Sequence, residues 1–562
     1  MPMMDGATFL AETLHGYGVT HFFFMPVAMH DAMPHFDRLG IVPVMAHTEK
    51  GAAYMADGYA RISHRIGVCA AQSVGSSNLA AGLQDGYLAC SPMLALTGRL
   101  RQSHQHRNAY QEIDHVAPFA AVTKFNAEVG SMAELPLFLR QAIREATSGT
   151  PGPTHLDLWG IWGNEIMTAK ADLEVVVEEA FAQVPPFRPE PDLGSVQAAL
   201  AALAEAKQPV IVAGGGVTAS GASGELIALA ERLHVPVITA LNAKETFPFD
   251  HPLAVGPSGL YARTCANRTL AEADCVFFVG SHTGGQVTNE WRIPRPGTRV
   301  VQLDINPAEL GRSFPVSVGM QGDARASLRK MIDNADRALA PEPSTERIAW
   351  VGRVQRFVSE WRAEIAPVVD AETLPMRPER LCKELTALLP DDAVLVSDTG
   401  HSGIWTGAMM DLTSADQRYI RCAGSLGWGL PAAIGAKCAA PDRPVVCFTG
   451  DAGMWYHLSE LDTALVRGIN TVTVVNNNAA LNQEQALNEE IYGARTPASD
   501  YLWVLTDSDW AAIAESMGCF GVTVNTPSEL SGALEQALSA GKPAVIDVKT
   551  DIEGIARAAW NG

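Results

Sequence analysis

Charge is scarce in this chain, and positive charge scarcer still. Charged residues make up 18% of the 562 and hydrophobic residues 47%, which excludes a disordered chain and calls for large, well-filled cores. Lys and Arg number 41 against 62 acidic residues, a formal charge of −21, so a nucleic-acid backbone is not an expected partner. An anionic substrate would need local positive charge or a metal ion. The nine Cys are scattered, without pairs at metal-ligand spacing, and suit a reducing cytosol. No basic N-terminal segment precedes an apolar run and no stretch reaches membrane-spanning length, so neither a secretory leader nor a membrane partner is expected. A cytoplasmic enzyme is the reading.

What is present is a strand–helix rhythm long enough for roughly three domains. Apolar runs at 19–25, 42–46, 67–71, 93–97 and 153–158 alternate with helical patterns, and the last is expected to close a parallel sheet. An acidic, Val-rich stretch at 170–192 ends in the proline cluster Pro185 to Pro191, which marks a boundary. Strands at 210–213, 236–240, 275–279 and 300–303 then build a second sheet, with a Gly-rich turn from Gly214 to Gly221 whose glycines fit tight packing better than a dinucleotide fingerprint. A charged helical connector at 344–365 leads to a third α/β unit with strands at 394–397, 445–448, 471–475 and 545–548. Fourteen residues follow, room for a short terminal helix.

The stretch from Gly450 to Asn478 organises the rest. An apolar strand delivers Gly450 and Asp451 to its carboxyl end, a helix is expected over 454–467, and a second strand delivers Asn476, Asn477 and Asn478. A carboxylate, an amide and carbonyl oxygens beside a helix N-terminus suit a divalent cation such as Mg²⁺ together with a phosphate.

Gly450-Asp451-Ala452-Gly453 through Asn478 resembles the diphosphate-binding motif of thiamine-diphosphate enzymes. By that resemblance Asp451, Asn478 and the Ala480 carbonyl hold Mg²⁺, and Gly450 to Gly453 contact the diphosphate. A second match lies at His47-Thr48-Glu49 and the small-residue helix to Arg61, which resembles the pyrimidine-domain signature of the same family. There Glu49 would hydrogen-bond the aminopyrimidine N1′ and drive the tautomer that generates the ylid. Asn78 closes a loop similar to the family's cofactor loop, and Gln111 falls where decarboxylase and carboligase relatives carry a pocket Gln. Asp398-Thr-Gly400-His401-Ser402 resembles the loop over the diphosphate, which makes Gly400, His401 and Ser402 cofactor contacts and His401 a catalytic candidate. Gly424-Ser-Leu426-Gly-Trp-Gly matches the segment that bends the cofactor, with Leu426 between its rings and the Gly424 carbonyl accepting from its amino group.

The resemblance covers nearly the whole chain and names the acetohydroxyacid synthase, pyruvate decarboxylase and benzaldehyde lyase superfamily. It implies an α/β fold of three parallel-sheet, Rossmann-like domains: pyrimidine-binding 1–168, central 190–340 and diphosphate-binding 370–562. It further implies a dimer with shared active sites, assembled as a tetramer, and as activity decarboxylation of a 2-keto acid with carboligation to a second carbonyl compound. Pro26-Val-Ala-Met29-His30 and Ser73-Val-Gly-Ser-Ser-Asn78 depart from the family pattern, which keeps cleavage or formation of an acyloin or dione, or aldehyde carboligation, as an alternative; a decayed cofactor-binding regulator is a third. Met29, His30, Gln111, Leu481 and Asn482 are the substrate-facing candidates. The central domain resembles that of the acetohydroxyacid synthases, yet the residues after Gly280 match no flavin-binding pattern, so FAD is not predicted.

Overall fold

A computed structural model of the chain describes residues 3–338 and 342–556. Among these, three parallel sheets of six strands each carry helices between their strands, a three-unit α/β architecture. The first sheet holds His21–Phe24, Val42–Met45, Gly67–Gln72, Met93–Arg99, Phe125–Val129 and Pro153–Trp159. Counted in chain order, its strands lie 2-1-3-4-6-5. Pro153–Trp159 therefore does not close the sheet as the sequence suggests; Phe125–Val129 pairs outside it. The third sheet holds Val394–Ser397, Arg418–Arg421, Val445–Gly450, Val472–Asn477, Phe520–Val524 and Ala544–Lys549, and repeats the order 2-1-3-4-6-5. The central sheet, from Pro209–Ala213 to Val318–Gln321, runs 3-2-1-4-5-6 instead, the doubly wound dinucleotide-fold order.

The inner strands are buried end to end: Pro209–Ala213, Cys275–Val279, Val394–Ser397 and Val472–Asn477 show no exposed position, as parallel strands covered on both faces require. Each outer sheet reverses strand order beside its first strand, so the loops after its first and third strands flank a switch point where such sheets take ligands. Those loops are 25–30 and 73–78 in the first unit, and 398–402 and 450–453 in the third.

The two outer units dock through the helices Glu49–Ser63 and Gly429–Ala439, each following its sheet's second strand. Their backbones nearly touch. A Cβ on Gly58 would run into the Ala432 carbonyl, and one on Gly435 into the Met55 carbonyl, so only glycine fits at either position. Arg61 fastens the same interface: its guanidinium pairs with Asp57 at 2.7 Å, lies 4.8 Å from the Trp428 ring centroid and bonds the Arg421 carbonyl. The central unit grips the third through Lys244 and Arg263, whose side chains reach carbonyls of Thr406 to Met410 at the end of a π-turn, Trp405–Met409. The charged connector is one long helix, Thr345–Val369. Residues 551–556 form no helix, and the rest of the segment where a terminal helix was expected, 557–562, lies outside the described residues.

Candidate active site

Strand Val445–Gly450 ends in an extended Gly450, which caps a helix beginning at Asp451 rather than at 454. The helix expected over 454–467 is two, Asp451–His457 and Glu460–Arg467, separated at Leu458 and Ser459. Asp451 is 2% exposed. One carboxylate oxygen accepts the Ala452 N–H at 2.9 Å; the other accepts those of Asn478 at 3.0 Å and Ala480 at 3.2 Å. A left-handed Ala479 (φ +56°) turns the chain so that both amides face Asp451. A carboxylate has about four acceptor positions, so these bonds leave room for one more partner. No basic side chain within the described residues pairs with it, and burial raises its pKa to about 6. A buried carboxylate with a free position and no counter-charge fits a cation.

The three Asn divide their work. Asn477 is structural, donating to Asp547 at 2.8 Å and to the Ser508 carbonyl at 2.9 Å. Asn476 keeps a buried side-chain oxygen without a partner, and Asn478, 9% exposed, makes no side-chain hydrogen bond among the described residues. No group of three or more His, Cys, Asp or Glu is placed to hold a metal among the described residues. A cation here would rest on one carboxylate plus amide and carbonyl oxygens, the donor set of Asp451, Asn478 and Ala480.

The loop after Val394–Ser397 lies alongside. Gly400 adopts φ +63°, ψ −142°, a conformation in practice reserved for glycine, and starts the turn His401–Ile404. Ser402 is buried with its hydroxyl against Gly450. His401 is held neutral, its pKa lowered to about 4 by burial, with Nδ1 unpartnered among the described residues. Gly453 is required by packing, since a Cβ there would strike the Thr449 hydroxyl.

Segment 423–429 is clamped by two buried carboxylates. Asp398 accepts the N–H groups of Gly427 and Gly429, each at 3.0 Å, and burial raises its pKa to about 6. Asp85, from the first unit, accepts those of Ala423 at 2.7 Å, Gly424 at 3.2 Å and Ser425 at 3.0 Å. Between the clamps Gly424 is exposed and Leu426 half-buried, presented to solvent on a fixed backbone. Neither carboxylate stands out in the sequence as a site residue. Their role depends on amides far away along the chain; only the position of Asp398 at a strand's carboxyl end hints at it.

In the first unit, Thr48 caps helix Glu49–Ser63 by accepting the Gly51 N–H at 2.9 Å, which makes Glu49 the first helical residue. Glu49 is half-buried, and Asn78 donates to its carboxylate at 3.1 Å. Gly75 lies so close that a Cβ would meet the Glu49 carboxylate. Ser73, two residues before Gly75, donates to the Gln111 carbonyl at 2.6 Å. Gln111 itself has φ +64° and a buried, unpartnered side-chain oxygen. Glu49 and Asn78 thus stand in the first turns of two helices, with Gln111 joined through Ser73 to the segment before Asn78. Met29 does not join them. At φ +49° its side chain turns into the core against Gly163, fully buried, because the chain must fold back there to start the next helix; His30 is the exposed neighbour. Asn482 is also turned inward, donating to the Gly554 carbonyl at 3.2 Å, with its side-chain oxygen unpartnered; Leu481 remains half-buried.

Among the described residues no hydrogen bond or ion pair joins Glu49 to Asp451. Glu460 of the third unit accepts the His47 and Thr48 N–H groups at 3.2 Å, directly before Glu49. Glu460 opens the helix that follows the one Asp451 starts, with the break at Leu458 and Ser459 between them. A larger cavity of 760 Å³ opens between the three units, lined by Gly214, Asn242, Glu245, Asp304 and Arg421 among others, but neither Glu49 nor Asp451 borders it.

Family models match along the chain: "Thiamine pyrophosphate enzyme, N-terminal TPP binding domain" at residues 4–117, the central domain at 196–331 and the C-terminal TPP binding domain at 398–548. A probable acetolactate synthase large subunit of Methanocaldococcus jannaschii is 31% identical, covering 98% of this chain and 92% of the relative. The acetolactate synthase isozyme 3 large subunit of Escherichia coli is 30% identical over 96% of this chain and 93% of its own length. An acetolactate synthase large subunit of Lactococcus lactis is 28% identical over 97% and 92%.

Proposed function

This chain belongs to the thiamine pyrophosphate enzymes and is acetolactate synthase-like, and from that premise we propose that it decarboxylates a 2-keto acid and transfers the remaining acyl unit to a second carbonyl compound, with Mg²⁺ as the metal. When bound, thiamine diphosphate supplies the centre at which the carbon–carbon bond is broken or made. The observation that carries the reading is Asp451: a buried carboxylate, three backbone donors around it, one acceptor position left and no counter-charge among the described residues.

The chain's own residues take separate tasks. Asp451, the Asn478 side chain and the Ala480 carbonyl would hold Mg²⁺. The N-terminal turn from Gly450 to Gly453, with Gly400, His401 and Ser402, would line the diphosphate, where helix-end amides favour phosphate. Leu426 and the Gly424 carbonyl would set the angle between the cofactor's rings, which the double clamp makes reproducible. Glu49 would hold and return a proton at its carboxylate, kept in place by Asn78. Gln111 and His30 would serve as substrate contacts, with Leu481 and Asn482 closing another wall.

The lack of any contact between Glu49 and Asp451 among the described residues supports a site completed by a second copy, hence a dimer, assembled as a tetramer. The nine free Cys, eight of them buried, fit a reducing cytoplasm.

The test is the purified protein with thiamine diphosphate and Mg²⁺ against 2-keto acids, acyloins and diones, recording carbon dioxide and products by mass spectrometry. Carbon dioxide with an acyl-transfer product is the expected result. Cleavage of an acyloin or dione without carbon dioxide would replace this reading with the lyase alternative.

A further inference from the structure

The outer units share a strand order, and each carries a buried carboxylate on a helix after its third strand. In the first unit it is Asp85, on Ser76–Leu88; in the third it is Glu460, opening Glu460–Arg467. Each reaches into the other unit and takes successive backbone N–H groups from the segment following that unit's second strand. Asp85 takes Ala423, Gly424 and Ser425. Glu460 takes His47 and Thr48, with the Thr463 hydroxyl at 2.8 Å on its second oxygen. Each held segment ends in a residue expected at the cofactor, Glu49 in one case and Leu426 in the other.

We propose that Asp85 and Glu460 are a reciprocal pair of positioning residues: Glu460 aims Glu49, and Asp85 aims the Gly424–Leu426 backbone. A carboxylate suits the task because it only accepts, so several N–H groups can converge on it without a competing donor. Each charge is also compensated. Asp85 is 3.2 Å from Arg61, and Glu460 sits against the N-terminus of helix Glu49–Ser63, where the helix dipole favours an anion. Simple fastening of the two units is already supplied by the Asp57–Arg61–Trp428 contacts and the glycine-packed helices; across the interface these carboxylates serve the two loops, Asp85 being shared with Arg61 and Glu460 steadied by Thr463 of its own helix. Helix Ser76–Leu88 carries Asn78 as well, so one rigid element touches both Glu49 and the Leu426 segment.

The proposal rests on the thiamine diphosphate reading, and its test separates the two. Holoenzyme carrying Asp85→Asn or Glu460→Gln is compared with wild type at saturating thiamine diphosphate and Mg²⁺. The readouts are cofactor affinity by tryptophan fluorescence, hydrogen–deuterium exchange at the cofactor's thiazolium carbon by quenched NMR, near-ultraviolet circular dichroism of bound cofactor, and Tm. Glu460→Gln is expected to slow that exchange at least about 10-fold with cofactor affinity held within about 3-fold, because Glu49 is misaimed rather than lost. Asp85→Asn is expected to alter the circular dichroism of bound cofactor and lower kcat about 10-fold or more at little change in KM. A fall in Tm with exchange, dichroism and kcat within about 2-fold of wild type would overturn the proposal and leave both residues as fasteners. Should a variant fail to fold, amide exchange in the wild-type holoenzyme decides: His47, Thr48, Ala423, Gly424 and Ser425 are expected to be protected like core strands, and free exchange at them would overturn it. Wild-type protein that binds no thiamine diphosphate would defeat the underlying reading instead.

Discussion

The clusters around Asp451 and around Glu49 are built differently. Asp451 is 2% exposed with three backbone donors in place, and its neighbour Ser402 is buried as well. Glu49 is half-buried, Asn78 beside it is exposed, and one side-chain bond of 3.1 Å joins them. One half is finished inside a single chain; the other has its anchoring finished but its working face open. On the proposed roles, binding would be preformed, while proton transfer at Glu49 would gain from a covering surface that excludes water and strengthens the electrostatics on which it depends.

The sharpest way to break this comparison is to disable each half separately. Glu49→Gln should cost about 10²–10⁴-fold in turnover, while calorimetric titration shows thiamine diphosphate and Mg²⁺ still binding. Asp451→Asn should weaken Mg²⁺-dependent cofactor binding by about 10²-fold, read in the same titration, and turnover should fall with it. If the two variants behave alike, the halves are not distinct.

Next in size is the interface on which both halves stand. Gly435→Ala places a methyl against the Met55 carbonyl and should destabilise by about 1–3 kcal/mol, seen as a fall in denaturation midpoint. Gly468→Ala, at a left-handed helix end with open space around it, meets no such contact and should cost only backbone strain, about 1 kcal/mol.

The smallest effect concerns pH. Asp398 and Asp451 have folded-state pKa values raised to about 6 from the ordinary 3.8, because burial disfavours the charge. Between those values the folded chain holds more protons than the unfolded one, so these two groups lose stabilising effect as pH rises from about 4 to about 6. Asp398→Asn removes its share. Its Tm difference from wild type should therefore shift in the variant's favour across that window, measured without cofactor by calorimetry. A flat difference would place Asp398 in a less buried setting than the one seen.

Much of this was legible in the sequence, and the remainder was hidden for definable reasons. Apolar runs such as Val394–Ser397 and Cys275–Val279 announce buried parallel strands, and the expected three-unit α/β fold is the one observed. The edge strands Phe125–Val129, Ala254–Pro257, Val318–Gln321, Arg418–Arg421 and Phe520–Val524 went unread, because with only one neighbour they are short or carry polar residues and show no continuous apolar run. Asp451 and Asn478 are visible by their spacing, and the structure brings Asn478 onto Asp451 through its N–H. Asp85, Asp398 and Glu460 were not visible. They act on backbone amides hundreds or tens of residues away, and amides carry no sequence signature. The burial of Met29 was not legible either, because its left-handed backbone turns the side chain inward, a reversal that composition does not encode.

The proposal that a working site combines Glu49 of one chain with Asp451 of another is tested most directly by mixing. Glu49→Gln and Asp451→Asn chains, each inactive alone, are unfolded together, refolded with thiamine diphosphate and Mg²⁺, and assayed for carbon dioxide release from a responsive 2-keto acid. If each working site takes Glu49 from one chain and Asp451 from another, half of the dimers are mixed and one site in each is intact, so about a quarter of wild-type activity should return. Activity no higher than that of either variant alone would contradict the account and put Glu49 and Asp451 of the same chain in one site.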